Sequence, residues 1–133
     1  MIVHNSQCST IHLLEEMSLL YTEWNEISAE ITEEVVKDEF QVILQKVEEL
    51  HPDFMIADTL KFKYKINPDT QRWITRFFMA DIIEMGVQKY AMIVNEDLYE
   101  RYTARDEEEE LVEGFKLKYF KNKDQAMNWL MVE

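Results

Sequence analysis

The sequence predicts a single-domain α/β protein: a mixed sheet of about five strands, an N-terminal hairpin followed by alternating helices and strands, and about four helices. Three observations carry this. Two short apolar runs, Phe54-Met55-Ile56-Ala57 and Tyr90-Ala91-Met92-Ile93-Val94, are too short for helices and apolar on both alternating faces, as expected of interior strands covered on both sides. Between and before them lie segments with apolar residues at steps of three and four, the helical period. The 133 residues fit one core, since single domains typically span roughly 100–200 residues, so one domain is expected over residues 1–133.

Residues 1–8 read as a flexible N-terminus. Ser9–Leu14 and residues 17–24 are rich in β-branched, aromatic and aliphatic types and divide at Glu15-Glu16, which suggests a hairpin. Thr32 followed by Glu33 and Glu34 marks a helix start, with a hydroxyl for the free amides and carboxylates at the positive end of the dipole. Val36, Phe40, Ile43, Leu44, Val47 and Leu50 then share one face, and Pro52 ends the helix by forcing the preceding residue out of helical geometry.

The interior strand over residues 53–58 leads to the connection Asp58-Thr59-Leu60-Lys61 and the basic-aromatic run Lys61-Phe62-Lys63-Tyr64-Lys65. Asn67-Pro68 is a cap followed by a proline at the first helical position, where the missing amide hydrogen costs nothing. Trp73, Ile74, Phe77, Phe78, Ile82 and Met85 supply the apolar face of this second helix, and Gly86 suits a left-handed stop. After the strand at residues 89–94, Asn95-Glu96-Asp97 predicts a third helix carrying Leu98, Tyr99 and Tyr102. The acidic run at residues 106–110 reads as a solvated connector. Phe115, Leu117 and Tyr119 alternate with Lys116 and Lys118, the pattern of a strand with one wet face, as at a sheet edge. A last helix follows Asn122, docking through Ala126, Met127, Trp129 and Leu130.

The chemistry is sparse. Glycine occurs only at positions 86 and 114, so there is no Gly-rich phosphate loop. His4, His12 and His51 lack the helical spacing of a zinc site, and Cys8 with His12 lacks the orienting third group of a nucleophilic pair. Adjacent carboxylates at 15–16 and 33–34 are explained by a turn and a helix start. No cofactor, metal or catalytic residue is expected. A net charge of −13 disfavours nucleic acid, which is bound through clustered cations, and anionic lipid surfaces. One cysteine, no apolar run of spanning length and no signal-peptide pattern at the N-terminus make a cytoplasmic protein the expectation.

Three stretches resemble the STAS-like superfamily, the fold of bacterial anti-sigma-factor antagonists, in particular its uncharacterised bacterial members. They are the central strand ending in Asp58-Thr59 with Ile66-Asn67-Pro68, Gln71 and Trp73; the stretch from Gly86 through Val94 with Glu96-Asp97-Leu98; and the ending Tyr119-Phe120, Ala126 and Trp129-Leu130. The resemblance implies helices packed chiefly on one face of the sheet, no catalysis, and regulation through protein contact. Antagonists carry a phosphorylated serine after the central strand. Here no serine stands there, and Thr59 is the only nearby hydroxyl, the candidate phospho-acceptor. The expected function is a non-enzymatic protein-interaction domain without the usual serine switch, contacting its protein partner through Asp58, Thr59, Lys61, Lys63 and Asn67. The alternative is a small-molecule or lipid-binding module with an apolar pocket beside the aromatic helix at Phe77 and Phe78. A homodimer through a sheet edge is compatible with either.

Overall fold

The structure, a computed structural model, describes residues 1–26, 32–62, 67–96, 109–112 and 114–132. Seven strands form one mixed sheet: β1 (Ile2–Asn5), β2 (Ser9–Leu14), β3 (Leu19–Trp24), β4 (Phe54–Asp58), β5 (Lys89–Ile93), β6 (Glu109–Val112) and β7 (Phe115–Phe120), in the order β1-β2-β3-β4-β5-β7-β6. β3, β4, β5 and β7 run parallel, and antiparallel pairs close both flanks. The α/β class is as expected, but the sheet has seven strands where about five were predicted.

Both additional strands have a physical reason. Residues 1–8 are not a loose tail: β1 pairs with β2, Val3 packs on the core and the Met1 amino group donates to the Leu13 carbonyl at 3.2 Å. Four residues are too few to show a period, so the strand is invisible to pattern reading. β6 begins with Glu109 and Glu110, the end of the acidic run read as a connector. It also corrects the edge position expected of β7, which lies between β5 and β6. Alternation of apolar and charged residues reports which face of a strand is wet, not whether its hydrogen-bonding edge is free.

The hairpin joining β2 and β3 turns through a short 3-10 segment, Glu15–Met17, and Ser18 in the left-handed region (φ 51°), so no Asn-Gly is needed and β3 starts at Leu19. Ser18 also accepts the amides of Asp53 and Phe54 on its carbonyl, fixing the start of β4. Helix α1 (Glu33–Leu50) begins as its sequence dictates, with the Thr32 hydroxyl accepting from the Val35 amide at 3.2 Å. It ends on His51, left-handed at φ 47°, directly before Pro52.

Helix α2 (Pro68–Trp73) starts on the Asn67 side chain, which accepts from the Thr70 amide at 2.9 Å. It continues through a π-helical turn, Ile74–Phe78, into α3 (Met79–Glu84) and stops at Gly86 with φ 99°. Helix α4 (Lys123–Met131) is capped by Asn122. The third helix expected after Asn95, with Leu98, Tyr99 and Tyr102, lies outside the described residues.

The interior strands are apolar on both faces and receive cover on both. On one face Leu20, Trp24, Met55, Ala57, Tyr90, Phe115 and Leu117 meet α1 and the α2–α3 rod. On the other, Leu19, Tyr21, Ile56, Ala91, Ile93 and Phe120 meet Ala126, Trp129 and Leu130 of α4. Helices therefore stand two rods to one among the described residues. Lys89 ties α4 down: its ammonium donates to the carbonyls of Trp129 and Val132 and lies 5.1 Å from the Trp129 ring centre, where the negative end of the helix favours a cation.

Candidate functional site

The connection after β4 begins at the carboxyl ends of the parallel strands, where open α/β sheets place their ligand contacts. Asp58, the last residue of β4, is buried. It accepts the Tyr21 hydroxyl at 2.6 Å on Oδ2 and the Leu60 amide at 3.2 Å on Oδ1. Burial foremost, then the bond to Asp58, pushes the Tyr21 hydroxyl well above the ordinary phenol range. Lys123 stands 4.7 Å from the Tyr21 ring centre, so the pair lies beneath the start of α4.

Thr59 is half-buried, and both its amide and its hydroxyl donate to the Ile93 carbonyl, at 2.9 and 2.8 Å. This double bond-pair links the ends of β4 and β5, and phosphorylation of the hydroxyl would require releasing one member. Phe62 then anchors the connection: its amide donates to the Thr59 carbonyl and its ring meets Trp24 edge-on at 5.2 Å. Asn67 serves α2 as a cap and gives its own amide to Glu33 Oε1 at 2.8 Å, tying the loop's far end to the first turn of α1. Lys61 is exposed on the turn. Lys63 lies outside the described residues.

Of the predicted contact residues, Asp58, Thr59 and Asn67 thus use their polar groups to hold the loop, and Lys61 faces solvent. Two residues that sequence reasoning did not assign to this surface present apolar area: Leu60, 41% exposed, and Phe77, 57% exposed. The spacing of Trp73 and Phe77 placed Phe77 on the buried face. The π turn overturns that, because its wider winding shifts the angular register by roughly one residue. Phe78 takes the inward position, with ring centres 4.9 Å from Phe40 and 6.5 Å from Tyr90.

A second polar cluster joins β1, β2 and α1. Glu39, 6% exposed, accepts the hydroxyls of Ser6 (2.7 Å) and Ser9, and His4 Nε2 lies 3.3 Å from the same carboxylate oxygen without hydrogen-bond geometry. All three groups converge on one acceptor, so no base stands between a nucleophile and an orienting acid as a hydrolytic triad requires. Cys8 packs into the core on the α1 side, and burial followed by the Glu39 charge pushes its thiol up. His12 stands on the opposite face, edge-on to Tyr21, so Cys8 and His12 are not brought together.

Among the described residues no group of three or more His, Cys, Asp or Glu could hold a metal ion, and no helix is long and apolar enough to cross a membrane. No family model, curated protein or solved structure matches the chain.

Proposed function

We propose that the chain is a non-enzymatic, cytoplasmic interaction domain of the STAS-like type, which binds a protein partner through the connection after β4 and the outward side of the α2–α3 rod. One observation carries the reading. Apart from Met1, Ile2, Met131 and Val132 near the two ends of the chain, the exposed large hydrophobic residues among those described are Leu60 and Phe77, one on this connection and one on the helix that follows it. Single exposed apolar residues are common, but here one lies on the turn fixed by Asp58, Thr59 and Phe62 and the other on the helical rod that Asn67 caps. A fixed turn and a helical rod offering apolar anchors fit binding with little ordering cost.

The competing expectation, an apolar pocket for a small molecule or lipid beside the aromatic helix, has no observation in its favour: Phe78 is packed against Phe40 and Tyr90, and Phe77 turns outward.

The test is site-specific photo-crosslinking in the cells that make the protein, with the reactive group at Leu60, at Phe77, or at exposed Glu48 on α1 as control. A defined protein adduct from positions 60 and 77 and none from 48 is expected. Adducts at all three positions alike, or at none, would sink the reading.

A further inference from the structure

The β1–β2 hairpin closes on a buried carboxylate that has no permanent cation. Oε2 of Glu39, on α1, accepts the hydroxyls of Ser6 and Ser9. The Ser6 oxygen in turn accepts the amides of Cys8 and Ser9, at 3.0 and 3.3 Å, so the turn between the two strands is organised on this one carboxylate oxygen. Among the described residues no Lys or Arg pairs with it, and a buried charge without a cation is costly. The group placed to supply one is His4 on β1. Its Nε2 is enclosed, lacks a hydrogen-bond partner among the described residues and lies 3.3 Å from the same oxygen.

A buried nitrogen without a partner calls for a reason, and protonation gives one. In a neutral ring Nε2 offers either a lone pair, which repels the carboxylate oxygen, or an uncharged donor. In the imidazolium it offers a charged donor, and a charge-assisted bond, roughly twice as strong as a neutral one, forms once the gap closes by about 0.5 Å. We infer that His4 and Glu39 form a pH-set clasp: protonation of His4 locks the β1–β2 hairpin onto α1, and deprotonation frees β1 to open from the edge of the sheet.

β1 is the outermost strand on this flank. Its opening passes the free edge to β2, and residues 1–14 contain no Lys, Arg, Asp or Glu, the charges with which edge strands resist further pairing. The clasp thus governs which strand ends the sheet.

The imidazolium gains its partner only in the closed hairpin. Closure is therefore favoured where imidazole is protonated, below pH ~6.5, and weakens as pH rises beyond it. Acid strong enough to neutralise Glu39 removes the attraction again. The other groups around the pair leave this to His4 among the described residues. The Cys8 thiol, on the turn, is pushed up by burial and by the Glu39 charge and keeps its proton through this range. β2 brings the Ser9 hydroxyl, the Met1 amino group donates to the Leu13 carbonyl, and the lysines of α1 are engaged elsewhere, Lys37 beside the Trp73 ring and Lys46 with Glu49.

The test measures amide hydrogen exchange by NMR on the full-length chain between pH ~5.5 and pH ~8, where imidazole titrates, with rates corrected for the intrinsic effect of pH. Protection of amides in β1 and β2, relative to those in β4 and β5, is expected to rise by roughly tenfold toward the acid end. His4→Gln and Glu39→Gln, each keeping a polar side chain in place, should flatten this profile, whereas His12→Gln and His51→Gln should preserve it. Nitrogen shifts of the His4 ring give a readout that needs no variant: both ring nitrogens should gain protons in step with the protection of the hairpin. Relative protection that is flat with pH in the parent, or a pH dependence that survives His4→Gln, would overturn the clasp. So would a His4 ring that titrates while hairpin protection stays unchanged.

Discussion

The hydroxyl of Tyr21 on β3 donates to Asp58 Oδ2 on the neighbouring parallel strand β4 at 2.6 Å, at the point where the chain leaves the sheet for the candidate contact loop. This bond joins a buried phenol to a buried carboxylate that also holds the Leu60 amide. Tyr21→Phe strips one donor from Asp58 and should lower stability by about 1–3 kcal/mol, read from urea unfolding. An unchanged midpoint would mean that the bond contributes nothing net.

The same group sets a dependence on alkaline pH. Burial raises the hydroxyls of both Tyr21 and Tyr90, with Asp58 adding to the first and Tyr119 to the second. In the unfolded chain a tyrosine ionises near pH ~10. Above that pH the unfolded state releases protons that the folded state retains, so the contribution is complete below pH ~10 and declines as pH rises beyond it. The decline should be shallower in Tyr21→Phe than in the parent. Parallel curves for the two would show that Tyr21 does not titrate differently on folding.

The π turn makes a paired prediction on two consecutive phenylalanines. Phe78 is 1% exposed and contacts Phe40, so Phe78→Ala should cost about 3–5 kcal/mol. Phe77→Gln should stay within about 0.5 kcal/mol, as for other surface substitutions. Thermal unfolding of both variants decides the register: the opposite ranking would restore the regular helical winding that the spacing of Trp73 and Phe77 suggests.

Glu39 is the clasp that holds the β1–β2 hairpin to α1 through Ser6 in its turn and Ser9 at the start of β2. Glu39→Ala leaves the buried Ser9 hydroxyl without this acceptor and should cost about 2–4 kcal/mol. Hydrogen exchange should accelerate first in β1 and β2, ahead of global unfolding. Exchange that speeds up uniformly across the sheet would argue that β1 is not held by this residue.

Thr22 offers a stabilising change. Its hydroxyl is buried between Ile11 and Ala57 in register and has no hydrogen-bond partner among the described residues. Thr22→Val keeps the β-branched shape and removes an unmet polar atom, so a gain of about 1 kcal/mol is expected in chemical denaturation. A loss would show that the hydroxyl finds a partner in solution.

Much of the architecture is written locally. Thr32, Asn67 and Asn122 each cap the helix they precede, Gly86 takes its left-handed stop, and the doubly apolar runs at β4 and β5 become interior strands. These signals are readable because a cap, a proline or an apolar run acts through its own backbone and the first few neighbours. The candidate contact residues are legible only as a loop: the sequence places Asp58, Thr59 and Asn67 there, but not the commitment of their polar groups to Tyr21, Ile93, Thr70 and Glu33.

What the sequence determined by itself is the α/β class, the caps and the interior strands, because a cap and a period are properties of neighbours along the chain. The tertiary structure decided that residues 2–5 form an edge strand, that β6 shields β7, and that Phe78 rather than Phe77 enters the core. Each of these depends on partners distant in sequence: a strand of four residues exists only when another strand offers its hydrogen bonds, and a π turn persists only where packing against Phe40 and Tyr90 offsets its poorer winding. The exposure of Phe77, on which the proposed contact surface rests, is thus a consequence of the core beneath it.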